Sequence, residues 1–343
     1  MRIGSRQIGP AHPPLVIAEI GINHGGSLDV AKEMVLRAAQ SGCECVKHQT
    51  HFVEDEMTED AKKIFPPNAD VSIWDVMARC AFSKDDEIEL KRYTEQLGMI
   101  YLSTPFSRAA ADFLEEIGVL AYKIGSGEAD NIPLIRHIAR LGKPVIMSTG
   151  MQSIERLRAS VDILAQAGID YALLECTNLY PSPPEIVSLR GVSELQESFP
   201  GVPVGFSDHS IGPEMALASV ALGACILERH YTDTRYRAGP DITNSMDPAE
   251  LRLLIDRSKE IWIAANNPKE RTAAEEDVYR FARASVVADR DLPEGHTITE
   301  ADIWARRPGN GEIAGYDFDK VLGRKTTRAL GRNTQLRWVD LSK

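Results

Sequence analysis

Short apolar runs alternate with amphipathic segments through the first 265 residues of the chain. The amphipathic segments carry apolar residues three or four positions apart, as in LDVAKEMVLRAAQ, which follows the candidate N-cap Ser27. The apolar runs predict buried strands at 15–21, 43–50, 98–106, 121–128, 144–150, 171–178, 202–209 and 224–231. Eight strands, each followed by a helix, predict an α/β fold of the (β/α)8 TIM-barrel type over residues 1–265. A doubly wound parallel sheet is the alternative, which the regular repeat makes the weaker interpretation.

Three stretches lie outside this repeat. Segment 51–82 is long and contains Pro66-Pro67, so we expect an excursion at a strand end that shapes a site. Residues 266–280 are polar, which predicts a linker. Residues 281–343 contain a short strand, a Gly turn and a capped helix start at Thr299. They predict a small second domain with too little core to be robust alone, which packs on a partner surface.

The composition is that of an ordinary globular protein, with 43% hydrophobic and 26% charged residues in a chain of 343. The net charge of −11 argues against nucleic acid and anionic membranes as partners. No apolar run reaches the length of a membrane span and the N-terminus has no signal-peptide core, so we expect a cytoplasmic protein. The five cysteines form no CxxC pair, which predicts buried thiols rather than disulfides.

Polar side chains collect where the predicted strands end, and in α/β proteins the carboxyl ends of parallel strands bind ligands. Lys47 and Lys123 end two strands among hydroxyl and amide groups. This set suits an anion that carries both phosphate and carboxylate. An alternative is that Lys123 forms a Schiff base with a carbonyl substrate.

Two histidines follow the last two predicted strands of the barrel. His209 shares a strand face with Ser207, and His230 shares one with Glu228, because side chains alternate along a strand. Two imidazoles brought together could hold a divalent metal with open positions for substrate. The alternative is two histidines satisfied separately at their strand ends.

A series of motifs runs in one register from about Ile8 to the C-terminus: IAEIGINHGGS, VKHQTHFVEDEM, STPFSRAAADFL, YKIGSGE, IMSTGM, CTNLYPSP, GFSDHSIG, ILERHYT, GPDITNSM and RRPGNG. On these motifs the chain resembles the bacterial sialic acid synthases, the N-acetylneuraminate synthase family. VKHQTH and CTNLYP resemble the branch that makes N-acetylneuraminate more than the VKFQ-type branches. Synthases of legionaminate or pseudaminate, which belong to those branches, are the alternative.

The resemblance implies a TIM barrel followed by an antifreeze-like (SAF) domain, in a domain-swapped homodimer where each small domain covers its partner's barrel. It implies condensation of phosphoenolpyruvate with open-chain N-acetylmannosamine and water, which gives N-acetylneuraminate and phosphate by C–O cleavage. It also implies a divalent metal held by His209 and His230, with Mn²⁺ expected and Mg²⁺ or Co²⁺ as alternatives.

The same resemblance assigns roles to individual residues. Those expected to hold phosphoenolpyruvate are Lys47, Thr104, Lys123, Ser126, Ser148, Asn178, Tyr180 and Ser207. Those expected to face the sugar and the reacting centre are Glu19, Gln49, Glu128 and Asp241. Phe281 and Arg307 of the partner chain are expected to close over the sugar.

The chain departs from that family at one position. Many members read LLHCT where this chain reads LLECT, with Glu175 at the third residue. Glu175 lies on the strand face opposite Asn178, so we expect it to point away from the site.

Two rival functions remain at this point. One is a lysine-dependent aldolase that uses Lys123 on the same barrel. The other is a non-catalytic carbohydrate-binding protein that uses the small domain. Two lysines and two histidines converging on strand ends argue against the second rival.

Overall fold

The computed structural model describes residues 1–66 and 69–342, and the chain divides into two compact units, Met1–Asn267 and Pro268–Lys343. Pro67 of the predicted proline pair and Lys343, the last residue of the predicted second domain, lie outside the described residues. Residues 268–280 were predicted to be part of a linker but belong to the second unit.

The chain begins with a short antiparallel hairpin that the sequence pattern did not predict. It consists of β1 (Arg2–Ile3) and β2 (Arg6–Gln7). Ile3 and Ile8 of this segment are buried, and they join a core cluster that contains Leu15 and Ile17. The hairpin therefore adds apolar side chains to the core beneath the amino ends of the strands.

The first unit is a closed barrel of parallel strands in chain order. The strands are β3 (Leu15–Gly21), β4 (Cys45–Thr50), β5 (Ile100–Pro105), β6 (Tyr122–Ile124), β7 (Val145–Ser148), β8 (Tyr171–Cys176), β9 (Val204–Asp208) and β10 (Ile226–His230). The last strand pairs with the first, with Ile226 opposite Leu15 and His230 opposite Glu19. The predicted TIM barrel is confirmed, because a doubly wound sheet would leave two open edges.

Helices follow the strands and cover the barrel. In this unit the helices are α1 (Leu28–Gln40), α2 (Val53–Glu56), α3 (Ile73–Cys80), α4 (Lys84–Gln96), α5 (Arg108–Glu116), α6 (Ile132–Arg140), α7 (Ile154–Gln166), α8 (Arg190–Ser198), α9 (Glu214–Ala221) and α10 (Pro248–Ala265). Serine caps such as Ser27 and Ser83 accept a backbone N–H of the first turn, and Asp247 begins α10 with a capping box to Glu250. Across the described ranges, no helix has the length and apolar character needed to cross a membrane.

Side chains alternate between two environments along each strand. Val16, Ala18 and Ile20 of β3 pack in the layer between strands and helices. Leu15 and Ile17 point to the other face and join the barrel interior with residues of the other strands. Higher on this inner face, toward the carboxyl ends, apolar residues give way to polar ones such as Glu19. The barrel thus has an apolar lower interior and a polar mouth.

The predicted excursion lies between β4 and α4. It contains α2, a 3-10 turn at Glu59–Lys63, and α3. Ile73, Val76 and Met77 of α3 line a cavity next to the strand ends, so the excursion contributes a wall to the mouth of the barrel.

The second unit is small and consists of short elements. Its elements are α11 (Glu276–Ala282), β11 (Ser285–Ala288), β12 (Ile303–Arg306), β13 (Lys325–Thr326) and β14 (Leu341–Ser342), with β11 paired to β12 and β13 to β14. Val286, Ile298 and Leu336 belong to its core. The prediction of a helix from Thr299 is wrong. The capping box is present, but the helical segment that it begins is a single 3-10 turn, Glu300–Asp302.

Candidate active site

A cavity of about 130 Å³ opens where the barrel strands end. Its walls include most of the residues predicted for the site: Glu19, Lys47, Gln49, Thr104, Lys123, Ser126, Ser148, Asn178, Tyr180, Ser207, His209 and His230. They converge because each occupies the inward face at the carboxyl end of its strand, or the loop directly after it.

Two buried lysines and two buried carboxyl groups form the floor of this cavity. Lys47 Nζ lies 2.7 Å from Glu19 Oε2 and 3.8 Å from Glu228 Oε1. Lys123 Nζ lies 3.7 Å from the same Glu228 oxygen and donates to Ser148 Oγ at 2.7 Å. Glu228 therefore lies between the two cations.

Burial and charge act in opposite directions on these groups. Burial raises the pKa of Glu19 to about 7, although Lys47 acts against the shift. Burial also raises the pKa of Glu228, but the attraction of Lys123 and Lys47 outweighs it and leaves that pKa below its usual value. Burial lowers the pKa of Lys123, whereas the pKa of Lys47 is raised because Glu19 and Glu228 more than offset the effect of burial. An anion bound at the floor would compete with these carboxylates for the lysines.

Glu228 lines the cavity but was not among the predicted site residues. The sequence did contain a signal, since Glu228 shares a strand face with His230. Its Oε2 is buried without a hydrogen-bond partner. A ligand group or a water molecule is the expected partner for such an atom.

His209 and His230 lie side by side at the rim of the cavity. Their ring centroids are 5.4 Å apart. His209 Nδ1 lies 2.8 Å from the carbonyl oxygen of Thr177, which holds a proton on Nδ1 and leaves Nε2 as a free lone pair. Nδ1 of His230 is buried without a hydrogen-bond partner and lies 3.6 Å from Asp241 Oδ2. Burial lowers the pKa of both imidazoles, so both are neutral near pH 7.

Neutral histidines with unpartnered nitrogens are what a divalent metal requires of its ligands. Within the described ranges, no group of three or more His, Cys, Asp or Glu side chains is arranged to hold a metal ion. With neutral rings and unpartnered nitrogens, His209 and His230 could supply two ligands to a cation that keeps its other positions for substrate or water.

One hydroxyl edge of the cavity depends on a glycine. Ser126 Oγ accepts a hydrogen bond from the backbone N–H of Gly150 at 3.1 Å. A Cβ added at Gly150 would lie 2.0 Å from Asn178 Oδ1 and 2.9 Å from Ser126 Oγ. The absence of a side chain at Gly150 thus lets Ser126 and Asn178 approach the same edge.

The remaining predicted residues lie elsewhere. Asp241 lines an adjoining cavity of about 250 Å³, which shares Gln49, Tyr180 and His230 with the first. Burial raises the pKa of Asp241 to about 6. Glu128 lies in the 3-10 turn after β6, where Asn131 Nδ2 donates to it, and it lines neither cavity. Phe281 and Arg307 are exposed residues of the second unit.

Glu175 points away from the cavity, as its position on β8 predicted. A Cβ added to Gly191 of α8 would lie 2.5 Å from the Glu175 carboxyl group, so this side chain lies between β8 and α8. Burial raises the pKa of Glu175 to about 7. The departure from LLHCT therefore changes the packing behind the strand and leaves the cavity walls unchanged.

Comparison with known proteins gave matches to two families and to relatives along nearly the whole chain. The NeuB family model matches residues 34–270, and the SAF domain model matches residues 283–342. The chain is 35% identical to the N-acetylneuraminate-9-phosphate synthase of Homo sapiens, over 93% of this chain and 90% of that protein. It is 33% identical to the N,N'-diacetyllegionaminic acid synthase of Campylobacter jejuni, over 92% of this chain and 96% of that protein.

Among solved structures, the chain resembles the N-acetylneuraminic acid (sialic acid) synthetase of Leptospira borgpetersenii in complex with citrate. The TM-score is 0.75 and the identity 30%, over 81% of this chain and 94% of that one.

Proposed function

Because the chain belongs to the NeuB family, we propose that it condenses phosphoenolpyruvate with open-chain N-acetylmannosamine and water, giving N-acetylneuraminate and phosphate. The observation that carries this proposal is the floor of the cavity, where two buried lysines stand among hydroxyl groups at the carboxyl ends of the strands. A synthase of a related nonulosonic acid, legionaminate or pseudaminate, is the alternative and would use the same chemistry.

The cations and hydroxyls suit phosphoenolpyruvate, which carries a carboxylate and a phosphate. Lys47 and Lys123 supply two positive charges, and Thr104 and Ser148 already accept hydrogen bonds from them. Binding of the substrate would replace the carboxylates of Glu19 and Glu228 as the nearest anions. Ser126, Asn178, Tyr180 and Ser207 complete the proposed phosphoenolpyruvate subsite.

In the proposed reaction, Glu19 lies next to the carbon at which charge develops. C3 of phosphoenolpyruvate attacks the aldehyde carbon of the sugar, and the aldehyde oxygen takes up a proton. Positive charge develops at C2, where an ionised Glu19 would stabilise it. Water then adds to C2 and gives up a proton, and phosphate leaves with cleavage of the C–O bond. Gln49 Nε2 donates to Glu19 Oε1, and this bond would orient the carboxylate when Lys47 turns to the substrate.

The metal is proposed on the two histidines. A Mn²⁺ ion held by His209 and His230 would act as a Lewis acid toward the aldehyde, with Mg²⁺ or Co²⁺ as alternatives. Free lone pairs and neutral rings support this assignment.

The sugar is proposed to extend into the adjoining cavity, where Asp241 and Gln49 offer polar groups and Ile73, Val76 and Met77 an apolar wall. Glu128, and Phe281 and Arg307 from the partner chain of a domain-swapped homodimer, complete the proposed sugar site by family resemblance.

A lysine-dependent aldolase remains as a second candidate because burial lowers the pKa of Lys123, as a Schiff-base lysine requires. Three groups oppose this role by holding the ammonium form, namely Ser148 Oγ, the carbonyl of Ile124 at 3.1 Å and Glu228. Borohydride with pyruvate should leave Lys123 unmodified, and a trapped adduct would favour the aldolase.

The experiment is phosphate release from phosphoenolpyruvate, measured with Mn²⁺ against a panel of N-acylated hexosamines. N-acetylmannosamine should give the highest kcat/KM, and Lys123→Met should abolish release. A diacetamido sugar as the best substrate would favour the alternative synthase, and no release with any sugar would exclude the proposed function.

A further inference from the structure

A chain of hydrogen bonds leads from Glu19 away from the cavity, through Gln49 to His51 and Glu56, which the proposed function leaves unused. Glu19 Oε1 accepts from Gln49 Nε2 at 2.7 Å. Gln49 Oε1 lies 3.2 Å from His51 Nε2, and His51 Nδ1 lies 2.8 Å from Glu56 Oε2. His51 is 4% exposed and lines neither cavity. It reaches Glu19 through Gln49, and its ring contacts Phe106, which lines the first cavity.

The His51 ring is held on its face as well as at both nitrogens. It stacks on Phe106, with the ring centroids 4.6 Å apart and the planes 11° from parallel. Glu56 is the last residue of α2, so the excursion supplies one of the anchors. With a stacked face and two bonded nitrogens, the ring has little freedom to turn.

Gln49 can present either end of its amide to Glu19, because the oxygen and the nitrogen are nearly equal in shape. With the nitrogen toward Glu19, an N–H faces an ionised carboxylate. After a half turn the amide oxygen would face Glu19 Oε1, and the two acceptors would repel unless the carboxyl group were protonated. A donor at His51 Nε2 favours the first arrangement, because it bonds the amide oxygen and leaves the nitrogen for Glu19.

The neighbours of His51 also define which ring nitrogen must donate. Both ring nitrogens lie near oxygens, namely Glu56 Oε2 and Gln49 Oε1. An amide oxygen can only accept, so the bond to Gln49 requires a proton on Nε2 of His51.

We propose that His51 is a positioning residue for the reaction, which holds the Gln49 amide with its nitrogen on Glu19 and thereby keeps that carboxylate oriented toward the reacting carbon. The kinetic consequence rests on the proposed function. The bond to Gln49 acts on Glu19, so its loss lowers kcat. A variant that keeps the ring on Phe106, which lines the cavity, should leave phosphoenolpyruvate binding by the lysines unchanged.

The test is a double-mutant cycle between His51 and Gln49. His51→Phe keeps the ring on Phe106 and removes both N–H groups, whereas His51→Gln returns a donor. We expect His51→Phe to lower kcat about tenfold with the KM for phosphoenolpyruvate changed less than about twofold, and His51→Gln to recover most of the loss. In a Gln49→Ala background, His51→Phe should cause no further loss, because the route to Glu19 is already cut.

Controls separate positioning from packing. His137, whose Nε2 lies 2.6 Å from Asp112 Oδ1, is a histidine–carboxylate pair away from both cavities, and His137→Phe should keep full activity. Melting temperatures are measured for all variants. The proposal is overturned if His51→Phe costs the same factor with and without Gln49, or if His51→Gln is as impaired as His51→Phe at equal melting temperature.

A second readout does not depend on turnover. Nitrogen NMR of labelled histidine should show a proton on Nε2 of His51, and assignment follows from the signal lost in His51→Gln. A bare Nε2 on His51 overturns the positioning role even if the enzyme is active. An enzyme that releases no phosphate, with a proton on Nε2 of His51, overturns the proposed function and supports the hydrogen-bonded arrangement.

Discussion

The His48 imidazole lies against the ring of Phe82, with the centroids 5.0 Å apart and the planes 24° from parallel. His24 packs on the same ring at 4.3 Å. All three side chains are buried, and His48 points to the opposite face of β4 from Lys47 and Gln49. His48 is the position at which VKHQ differs from VKFQ, so the residue that favoured one branch of the family on sequence does not contact the cavity.

We expect His48→Phe to leave the choice of sugar unchanged. A phenyl ring fits the existing aromatic cluster, and the cavity lies on the other face of the strand. The measurement is the ratio of kcat/KM for N-acetylmannosamine to that for a diacetamido sugar, in the wild type and the variant. A shift of this ratio by tenfold or more would contradict the prediction.

The same variant should reveal the cost of burying His48 at low pH. Burial lowers the pKa of His48 well below 6.5, so below pH 6.5 the unfolded chain binds a proton at this position that the folded chain does not. The wild type should therefore lose stability relative to His48→Phe as the pH falls, by about 1.4 kcal/mol between pH 7.5 and 5.5. Urea unfolding of both proteins at these pH values measures the difference. A difference independent of pH would show that His48 becomes protonated in the folded state.

Glu87 should show the opposite dependence on pH. Burial raises its pKa to about 7, and the hydroxyls of Thr50 and Tyr101 donate to its Oε1. Between pH 4.5 and 7 the folded chain holds a proton there that the unfolded chain lacks, so stability falls as the pH rises. Glu87→Gln keeps the acceptor and cannot ionise, so it should be more stable than the wild type at pH 8 by about 1–3 kcal/mol. The assignment would be contradicted if the difference in unfolding free energy between Glu87→Gln and the wild type were the same at pH 5 and at pH 8.

Gly21→Ala should lower kcat by more than its loss of folding stability can explain. Gly21 has a φ of +49°, and an added Cβ would lie 3.2 Å from Glu19 Oε1, 3.3 Å from Gln49 Nε2 and 3.5 Å from His230 Nδ1. Gly98 is a matched control, since it has a φ of +78° and no atom within 4 Å of its added Cβ. Both substitutions should cost about 1 kcal/mol of stability through backbone strain. Only Gly21→Ala should lower kcat, and equal kcat values in the two variants would argue against a role for this contact.

Removal of metal should abolish turnover, and Mn²⁺ should restore it. Binding can be measured separately, because an ion that binds the folded state raises the melting temperature. We expect Mn²⁺ to stabilise the wild type and to have no such effect on His209→Ala or His230→Ala, while both variants stay folded. Full activity after dialysis against EDTA would exclude metal dependence.

Arg307 is proposed to act on the partner's barrel, and subunit mixing tests this. Arg307→Ala alone and His209→Ala alone should be nearly inactive. In a mixed dimer that exchanges second domains, one site carries both defects and the other carries none, so activity should recover toward half per mixed dimer. No recovery after verified subunit exchange would show that Arg307 serves its own chain or none.

The barrel could be predicted because its signal is repeated in every strand. Lys47 and Lys123 lie at the ends of apolar runs. Because side chains alternate between the two faces of a strand, their positions in these runs predict that they point inward, without knowledge of distant contacts. The first hairpin could not be found in this way, because strands of two residues such as Arg2–Ile3 are too short to show a period. Thr299 carried a valid capping signal, but a cap starts a helical turn without determining how far it continues.

Within the site, the missed residues are those whose role depends on neighbours from other strands. On sequence, Glu228 is only a strand residue that shares a face with His230. In the fold Arg229 turns toward Asp208, at 3.4 Å, and Glu228 turns inward between two lysines. His51 likewise gains its meaning from Glu56 and Phe106, whose positions depend on the excursion and on β5.

The apolar lower interior of the barrel, with Ile3 and Ile8 beneath it, affects the order in which compounds bind and leave. Molecules enter and leave the cavity through the same mouth, because the opposite end is filled with side chains. The lysine floor lies on the strands themselves, whereas Ile73 and Asp241 of the adjoining cavity lie on segments outside them. A compound held at the floor must therefore arrive before the compound that occupies the mouth, and what remains at the floor departs last. Under the proposed function we therefore expect compulsory-order kinetics, with phosphoenolpyruvate as the leading substrate, because the floor is reached through the mouth of the barrel.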